Sequence, residues 1–312
     1  MSWVPVVDLG GDPATVRRSL ADACERIGFL SITNHGVPAD VLDAAWSEAR
    51  AFFDLTEQEK LRVAMPYPGY PYGYAPMGSE QLAASLGQVA PPDLKESFSI
   101  GPISAPRHRF ADADEASVWL PNLWSDALPG MRPRWELAYV ALAELSARLL
   151  SLMAGSLGLE SSYFVPMIDR HASSMRAINY PVVEHADGQL RAGAHTDYGT
   201  VTVLVADPEV AGLEVLQPDG QWAPVAVLPG SLVVNLGDAM ARWTNDRWRS
   251  TLHRVVPGAR RRQSIAFFHN ANWDALIECI PTCLEPGESP RHPPMPAGPH
   301  LMAKFRATVT PA

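Results

Sequence analysis

Three side chains in this sequence have the types and spacing to hold a transition metal. His195 and Asp197 lie in Gly-Ala-His-Thr-Asp-Tyr-Gly, and His253 lies in Ser-Thr-Leu-His-Arg-Val-Val-Pro. Two imidazoles and one carboxylate can occupy one face of an Fe(II) ion and leave the opposite face open to a co-substrate and O2. On an extended chain, positions i and i+2 point to the same side, so His195 and Asp197 can reach one ion. The third ligand must then come from a strand lying alongside in space.

His-x-Asp alone is a weak signal, and the chain contains a second copy, His185-Ala-Asp187. That copy runs straight into Gly188, and Asp-Gly between two apolar runs marks a turn. His185 and Asp187 therefore read as a solvated hairpin tip. His195 instead sits between two strand-like runs, Gln189–Ala192 and Thr200–Val205.

A second constellation follows His253. Arg262-Gln-Ser264 opens the apolar run Ile265–Phe268. Arg262 and Ser264 are again i and i+2 on a strand, and a guanidinium fork beside a hydroxyl suits a carboxylate. Arg260-Arg261-Arg262 could also be a solvated loop tip. Placement one strand after the last metal candidate favours the binding role, with Arg260 and Arg261 solvated.

Composition bounds the rest. The 312 residues can hold one large domain or two small ones, and 47% hydrophobic content is ample for a core. A net charge of −9 argues against a nucleic-acid or anionic-membrane surface. No stretch reads as the ~20 apolar residues that span a bilayer. The N-terminal segment Met1–Asp8 lacks a basic region followed by a long apolar one, so no signal peptide is expected. Cys24, Cys279 and Cys283 are too few, and odd in number, for a disulfide framework. Cys279-x3-Cys283 has no second pair to complete a metal site. Reduced thiols in the cytoplasm are expected.

The elements that must position these residues divide the chain. Helices dominate the first half. Asp12-Pro13 caps a helix with Val16, Leu20, Ala23, Cys24 and Ile27 inward, closed by Gly28. A second helix runs from about Pro38 to Phe53, and Thr56-x-x-Glu59 is a capping box for a short third. Residues 66 to 78 read as an ordered loop. A long helix spans roughly Pro133 to Leu157, with Leu137, Val140, Ala141, Leu145, Leu149 and Leu152 inward. Short strands follow at 173–180, 189–195, 200–206, 212–216, 222–227, 231–236, 251–256 and 263–268, with Pro218-Asp-Gly220 as a hairpin turn. Strands at this spacing suit a jelly roll, two sheets facing each other around a pocket. A short helix is expected at His300–Ala307.

In this order the motifs resemble the isopenicillin N synthase-like, 2-oxoglutarate-dependent Fe(II) oxygenases. Gly28–Gly36 looks like that family's opening strand and turn. Gly73–Pro76, Glu80 and Asp93–Phe98 look like its middle segment, and Asn235–Asp238 and Phe267–Asn272 flank His253 in its manner. The resemblance implies an α+β protein with a double-stranded β-helix (jelly-roll) core and an N-terminal helical region packed on one sheet. Residues 1–125 would form the N-terminal region. Residues 126–312 would form the jelly-roll domain with its leading long helix and C-terminal tail, in one integrated unit.

The resemblance also implies that His195, Asp197 and His253 hold Fe(II), and that Arg262 and Ser264 bind the far carboxylate of 2-oxoglutarate. O2 is the other co-substrate, and succinate and CO2 are released as a small molecule is oxidised. Many members carry Asn-Tyr-Tyr-Pro here, but this chain has Ile178-Asn179-Tyr180-Pro181. Tyr180 keeps the Tyr position beside the co-substrate, Ile178 replaces the Asn, and Asn179 faces the other way. Tyr198, Phe98, Phe268 and Asn270 lie in segments expected near the cavity, and each reads equally as packing. Arg176 either meets an anionic ligand or pairs with a carboxylate. Within the family, the rival is an isopenicillin N synthase-type oxidase that uses no 2-oxoglutarate. Outside it, the rivals are a Zn(II) hydrolase and a non-catalytic binding protein.

Overall fold

Helix α1 (Pro13–Arg26) forms where the sequence places it. Asp12 accepts the Thr15 N–H at 2.9 Å, and Pro13 occupies the first turn, where its missing N–H costs nothing. Its five expected inward residues are all buried. Gly28 ends it at φ +69°, and a Cβ there would lie 1.9 Å from the Arg249 carbonyl oxygen. Neither the conformation nor the space admits a side chain. The computed structural model describes residues 3–67, 69–87 and 90–308. Met1 and Ser2 of the N-terminal reading lie outside them.

Strand β1 (Val6–Asp8) precedes α1, and β2 (Phe29–Thr33), α2 (Ala39–Phe53) and α3 (Glu57–Leu61) follow it. The Thr56–Glu59 capping box is present. The Pro- and Gly-rich stretch 66–78 is more than a loop. It contains β3 (Gly73–Ala75), paired antiparallel with β4 (Glu96–Ile100). Helices α4 (Ala113–Val118), α5 (Met131–Ser156) and α6 (Val165–Ile168) lead to the strand-rich half.

Helix α5 corrects two expectations. Leu137 is 61% exposed and Val140 is also exposed, while Trp135, Ala138, Tyr139, Leu142, Leu145 and Leu149 face inward. A helix apolar on most sides gives its phase away poorly, and the aromatic residues take the buried positions. By length and composition α5 is also apolar enough to cross a membrane. In this fold it is the central core helix, packed against α1, α2 and the main sheet.

The later strands are β5 (Ser174–Tyr180), β6 (Ala192–His195), β7 (Val201–Ala206), β8 (Leu213–Leu216), β9 (Trp222–Pro224) and β10 (Leu232–Leu236). After α7 (Asp238–Trp243) come β11 (His253–Val255), β12 (Arg262–His269), β13 (Leu276–Ile277), β14 (Met295–Pro296) and helix α8 (Ala297–Thr308). Apart from β13 and β14, which pair with each other, they form two facing sheets. The larger has the order β1-β2-β10-β7-β12-β5-β4-β3, and the smaller β6-β11-β8-β9. The N-terminal strands thus extend both sides of the jelly-roll sheet.

Strand alternation sorts the large sheet into two faces. Met175, Ala177, Val203, Ile265 and Phe267 turn toward the helices and join their core. Arg176, Ile178, Tyr180, Thr202, Leu204, Arg262, Ser264, Ala266 and Phe268 turn toward the small sheet and line the cavity between them.

Candidate active site

His195 and His253 are direct cross-strand partners on β6 and β11, with ring centroids 4.3 Å apart. Asp197 comes from the turn just beyond β6 rather than from the strand, so the i, i+2 geometry is only partly strand-borne. Ligand atoms of the three residues lie within 4.8 Å of one another, and the His253 Nε2 to Asp197 Oδ1 distance is 3.8 Å. His195 Nδ1 donates to Gly193 O at 2.7 Å and His253 Nδ1 to Thr251 O at 3.1 Å. Both rings therefore present Nε2 lone pairs to the space between them. This donor set, two neutral imidazoles and one carboxylate on one side of an open cavity, fits Fe(II).

The surroundings favour a neutral His195 and an ionised Asp197. Burial, and then the neighbouring His253, push the His195 pKa far down. Burial alone would raise Asp197, but His253, His195 and hydrogen bonds from Asn235 and Thr202 hold it below the usual range. Asn235 Nδ2 donates to Asp197 Oδ2 at 2.6 Å, which leaves Oδ1 facing the histidines. Sequence reasoning misses Asn235 as a functional residue. Its signal is an amide inside the apolar run Leu232–Leu236. Asp238 also holds this turn, since its N–H donates to Asp197 O at 2.8 Å. Gly199 completes it: a Cβ there would meet Asn270 Oδ1 and the His269 carbonyl oxygen at 2.4 Å.

Across the cavity, Arg262 is 2% exposed and Ser264 is buried beside it. Arg262 Nε and Nη1 and Ser264 Oγ have no hydrogen-bond partner among the described residues. Arg262 pairs with Tyr180 across the sheet, its guanidinium carbon 5.0 Å from the ring centre, and Ser264 pairs with Ile178. Two orphaned guanidinium nitrogens and a hydroxyl aimed from one strand face fit the far carboxylate of 2-oxoglutarate. Asn179 does face away, donating to Glu96 and accepting from Arg261. Arg261 is not a solvated residue: it is half-buried and also pairs with Asp54. Arg260 is exposed.

The remaining candidates separate. Phe98 is a correction. It is fully buried on the helix side of β4, against Phe52 and Trp135, and does not reach the cavity. Ser99, its neighbour on the other face, does. Tyr198, Phe268, Asn270 and Arg176 all line the cavity. The Asn270 amide is committed to backbone, donating to Ala172 O at 2.9 Å. Arg176 donates to Ser99 Oγ and to Glu80 Oε1, both at 2.8 Å.

Glu80 in turn pairs with the buried Lys95, and Lys95 with Asp93, an ion network that sequence reading does not resolve. Burial would raise Glu80, but Arg176 and Lys95 outweigh it and hold the carboxyl at about 2, which makes it a poor general base. His185 and Asp187 are exposed, as expected, but not on a hairpin. The loop joins β5 in one sheet to β6 in the other.

Residues 4–127 match the family model of the N-terminal region of non-haem dioxygenases in morphine synthesis. Residues 172–271 match the 2OG-Fe(II) oxygenase superfamily. The chain is 34% identical over 294 residues to the 2-oxoglutarate-Fe(II) type oxidoreductase hxnY of Emericella nidulans, covering 92% of this chain and 82% of the relative. It is 36% identical over 286 residues to the proline hydroxylase buaE of Petromyces alliaceus, covering 86% of each. Among solved structures, a full-length Neurospora crassa protein in complex with alpha-KG and thymine superposes with a TM-score of 0.85 at 29% identity, covering 97% of this chain and 96% of that one. The chain belongs to the 2OG-Fe(II) oxygenase superfamily and is a non-haem, Fe(II)- and 2-oxoglutarate-dependent dioxygenase.

Proposed function

We propose that this enzyme oxidises a small molecule at an Fe(II) ion held by His195, Asp197 and His253, with 2-oxoglutarate gripped by Arg262, Ser264 and Tyr180. One observation carries the reading. A single cavity has the His-Asp-His cluster in its wall and, on the facing sheet, buried donors of Arg262 and Ser264 that have no partner among the described residues. Iron with 2-oxoglutarate and O2 supplies an oxidant able to take hydrogen from an unactivated carbon, and succinate and CO2 leave. The protein's part is positional. The Gly193 and Thr251 carbonyls orient the two imidazoles, and Asn235 fixes the carboxylate. The Arg262 fork would hold and orient the far carboxylate of the co-substrate.

The cavity holds about 210 Å3, which supports a small substrate. The Neurospora crassa protein was solved with thymine, and another relative is named for proline hydroxylation. Both support a compact metabolite rather than a polymer. Phe268 and Tyr198 offer aromatic faces, and Leu301, Met302 and Phe305 of α8 close the cavity. Arg176 offers a polar contact in the same wall, already balanced by Glu80. The net charge of −9 supports a protein that avoids nucleic acid, and three unpaired cysteines support a cytoplasmic location. The test is succinate release with Fe(II), ascorbate and 2-oxoglutarate over a panel of heterocycles, amino acids and small carboxylic acids. Release stimulated by one class, and lost in His253→Ala, supports the reading. Oxygen uptake that proceeds without 2-oxoglutarate overturns it.

A further inference from the structure

Arg191 is a buried cation with no carboxylate partner among the described residues. It is 2% exposed. Its Nη2 donates to three carbonyls, Pro181 O at 3.3 Å, Gly258 O at 2.8 Å and Arg260 O at 2.8 Å. Its Nη1 is buried and has no hydrogen-bond partner among the described residues. An unpaired buried charge is expensive, and carbonyl dipoles repay only part of the cost. The neighbourhood adds to it, because Arg262 is close enough to depress Arg191 further by repulsion, after burial itself. Two cations are thus held together with no carboxylate partner among the described residues.

The three carbonyls identify what Arg191 organises. Pro181 follows Tyr180, whose ring packs on Arg262, and Gly258 and Arg260 belong to the turn that leads into Arg262. One nitrogen, Arg191 Nη2, therefore ties together both backbone segments that flank the Arg262 side chain. Arg191 is absent from the cavity wall itself.

We infer that Arg191 is a positioning residue for the co-substrate. It clamps the segments on either side of Arg262, and it adds a second buried positive charge that is balanced when the far carboxylate of 2-oxoglutarate arrives. This rests on the reading of Arg262 as the grip for that carboxylate. A clamp on Arg262 serves only an acid whose distal carboxylate Arg262 can grip. A second charge likewise serves only an acid carrying the distal carboxylate.

The experiment compares 2-oxoglutarate with 2-oxopentanoate, which has the same chain length and no distal carboxylate. Their dissociation constants are measured by calorimetry on the full chain loaded with Mn(II), which needs no turnover. The variants are Arg191→Gln, Arg191→Lys and Arg262→Gln. Arg191→Gln should weaken 2-oxoglutarate about tenfold and leave 2-oxopentanoate within about twofold. Arg191→Lys keeps the charge, but its shorter side chain places the nitrogen short of the Nη2 position where the three carbonyls converge, and it should lose about threefold in the ratio of the two constants. It also serves as the measurement if Arg191→Gln does not fold. An unchanged ratio in whichever Arg191 variants fold, or equal weakening of both acids, overturns the inference. Arg262→Gln separates the two ideas. If it leaves 2-oxoglutarate affinity intact, the Arg262 reading fails first. If it weakens 2-oxoglutarate while the Arg191 variants do not, only the role of Arg191 falls.

Discussion

At the scale of single residues, the site depends on which polar atoms are committed and which are left open. His195, Asp197 and His253 each have one donor atom turned inward and the other atom tied to the protein. His195→Ala, Asp197→Ala and His253→Ala should each abolish turnover and stoichiometric iron binding, measured by metal analysis after dialysis. His185→Ala and Asp187→Ala should match wild type, since both lie on an exposed loop. Asn235→Ala should weaken iron roughly 10- to 100-fold without removing a ligand, because the carboxylate loses its orienting donor. Unchanged iron affinity in that variant would show that Asn235 is only packing.

For the co-substrate, a hydrogen bond to a charged group is worth roughly 1.5–3 kcal/mol, so Arg262→Ala should raise the KM for 2-oxoglutarate about 10- to 150-fold. Ser264→Ala should cost about 1 kcal/mol. Exposed Arg260 is the control, and its alanine variant should stay within about threefold. Arg261 is unsuitable as a control, because it anchors Asn179 and Asp54.

At the scale of elements, strand alternation decides which side chain does what. Neighbouring positions on β4 and β12 face opposite surroundings, one the helical core and one the cavity. Phe98→Ala empties a site packed by Phe52, Trp124 and Trp135, and should cost about 3–5 kcal/mol in urea unfolding with little change in KM for 2-oxoglutarate. Phe268→Ala lies on the other face, lines the cavity and is only partly buried. It should cost less stability and more in productive coupling of 2-oxoglutarate consumption to substrate oxidation. The reverse pattern, with Phe268→Ala unfolding the protein and Phe98→Ala uncoupling it, would mean that the two faces are misassigned.

At the scale of the whole molecule, neutral buried histidines make the fold sensitive to acid. His269 is buried against Thr200, and burial, with His171 beside it, pushes its pKa to about 3. His195 is lowered in the same direction. In the unfolded chain both take up protons near pH 6.5. Below that pH the unfolded state binds more protons than the native state, so stability present above about pH 6.5 is lost as pH falls toward 3. Each histidine contributes a slope of up to about 1.4 kcal/mol per pH unit. Urea midpoints of metal-free protein between pH 7.5 and 5 should fall accordingly, and His269→Asn should flatten the profile. A midpoint that is independent of pH in wild type would show that these rings are not held neutral.

Local chemistry wrote much of this protein into its sequence. The caps of α1 and α3, the buried stripe of α1, the strand runs and the His-x-Asp and Arg-x-Ser spacings all depend on neighbours within a few positions, and periodicity exposes such features. What the tertiary structure decided is every property that depends on a partner distant in the chain. The phase of α5 needed the sheet beneath it, because a helix apolar on most sides has no preferred face until something packs on it. Phe98 and Ser99 could not be sorted until β4 was laid against β5. The Glu80–Lys95–Asp93–Arg176 network joins a loop, a strand edge and β5, and its members look like ordinary surface charges until burial pairs them. Arg191 is one more arginine in the sequence. Only the approach of the Pro181 and Gly258–Arg260 carbonyls, and of Arg262, makes it a buried charge without a counterion among the described residues.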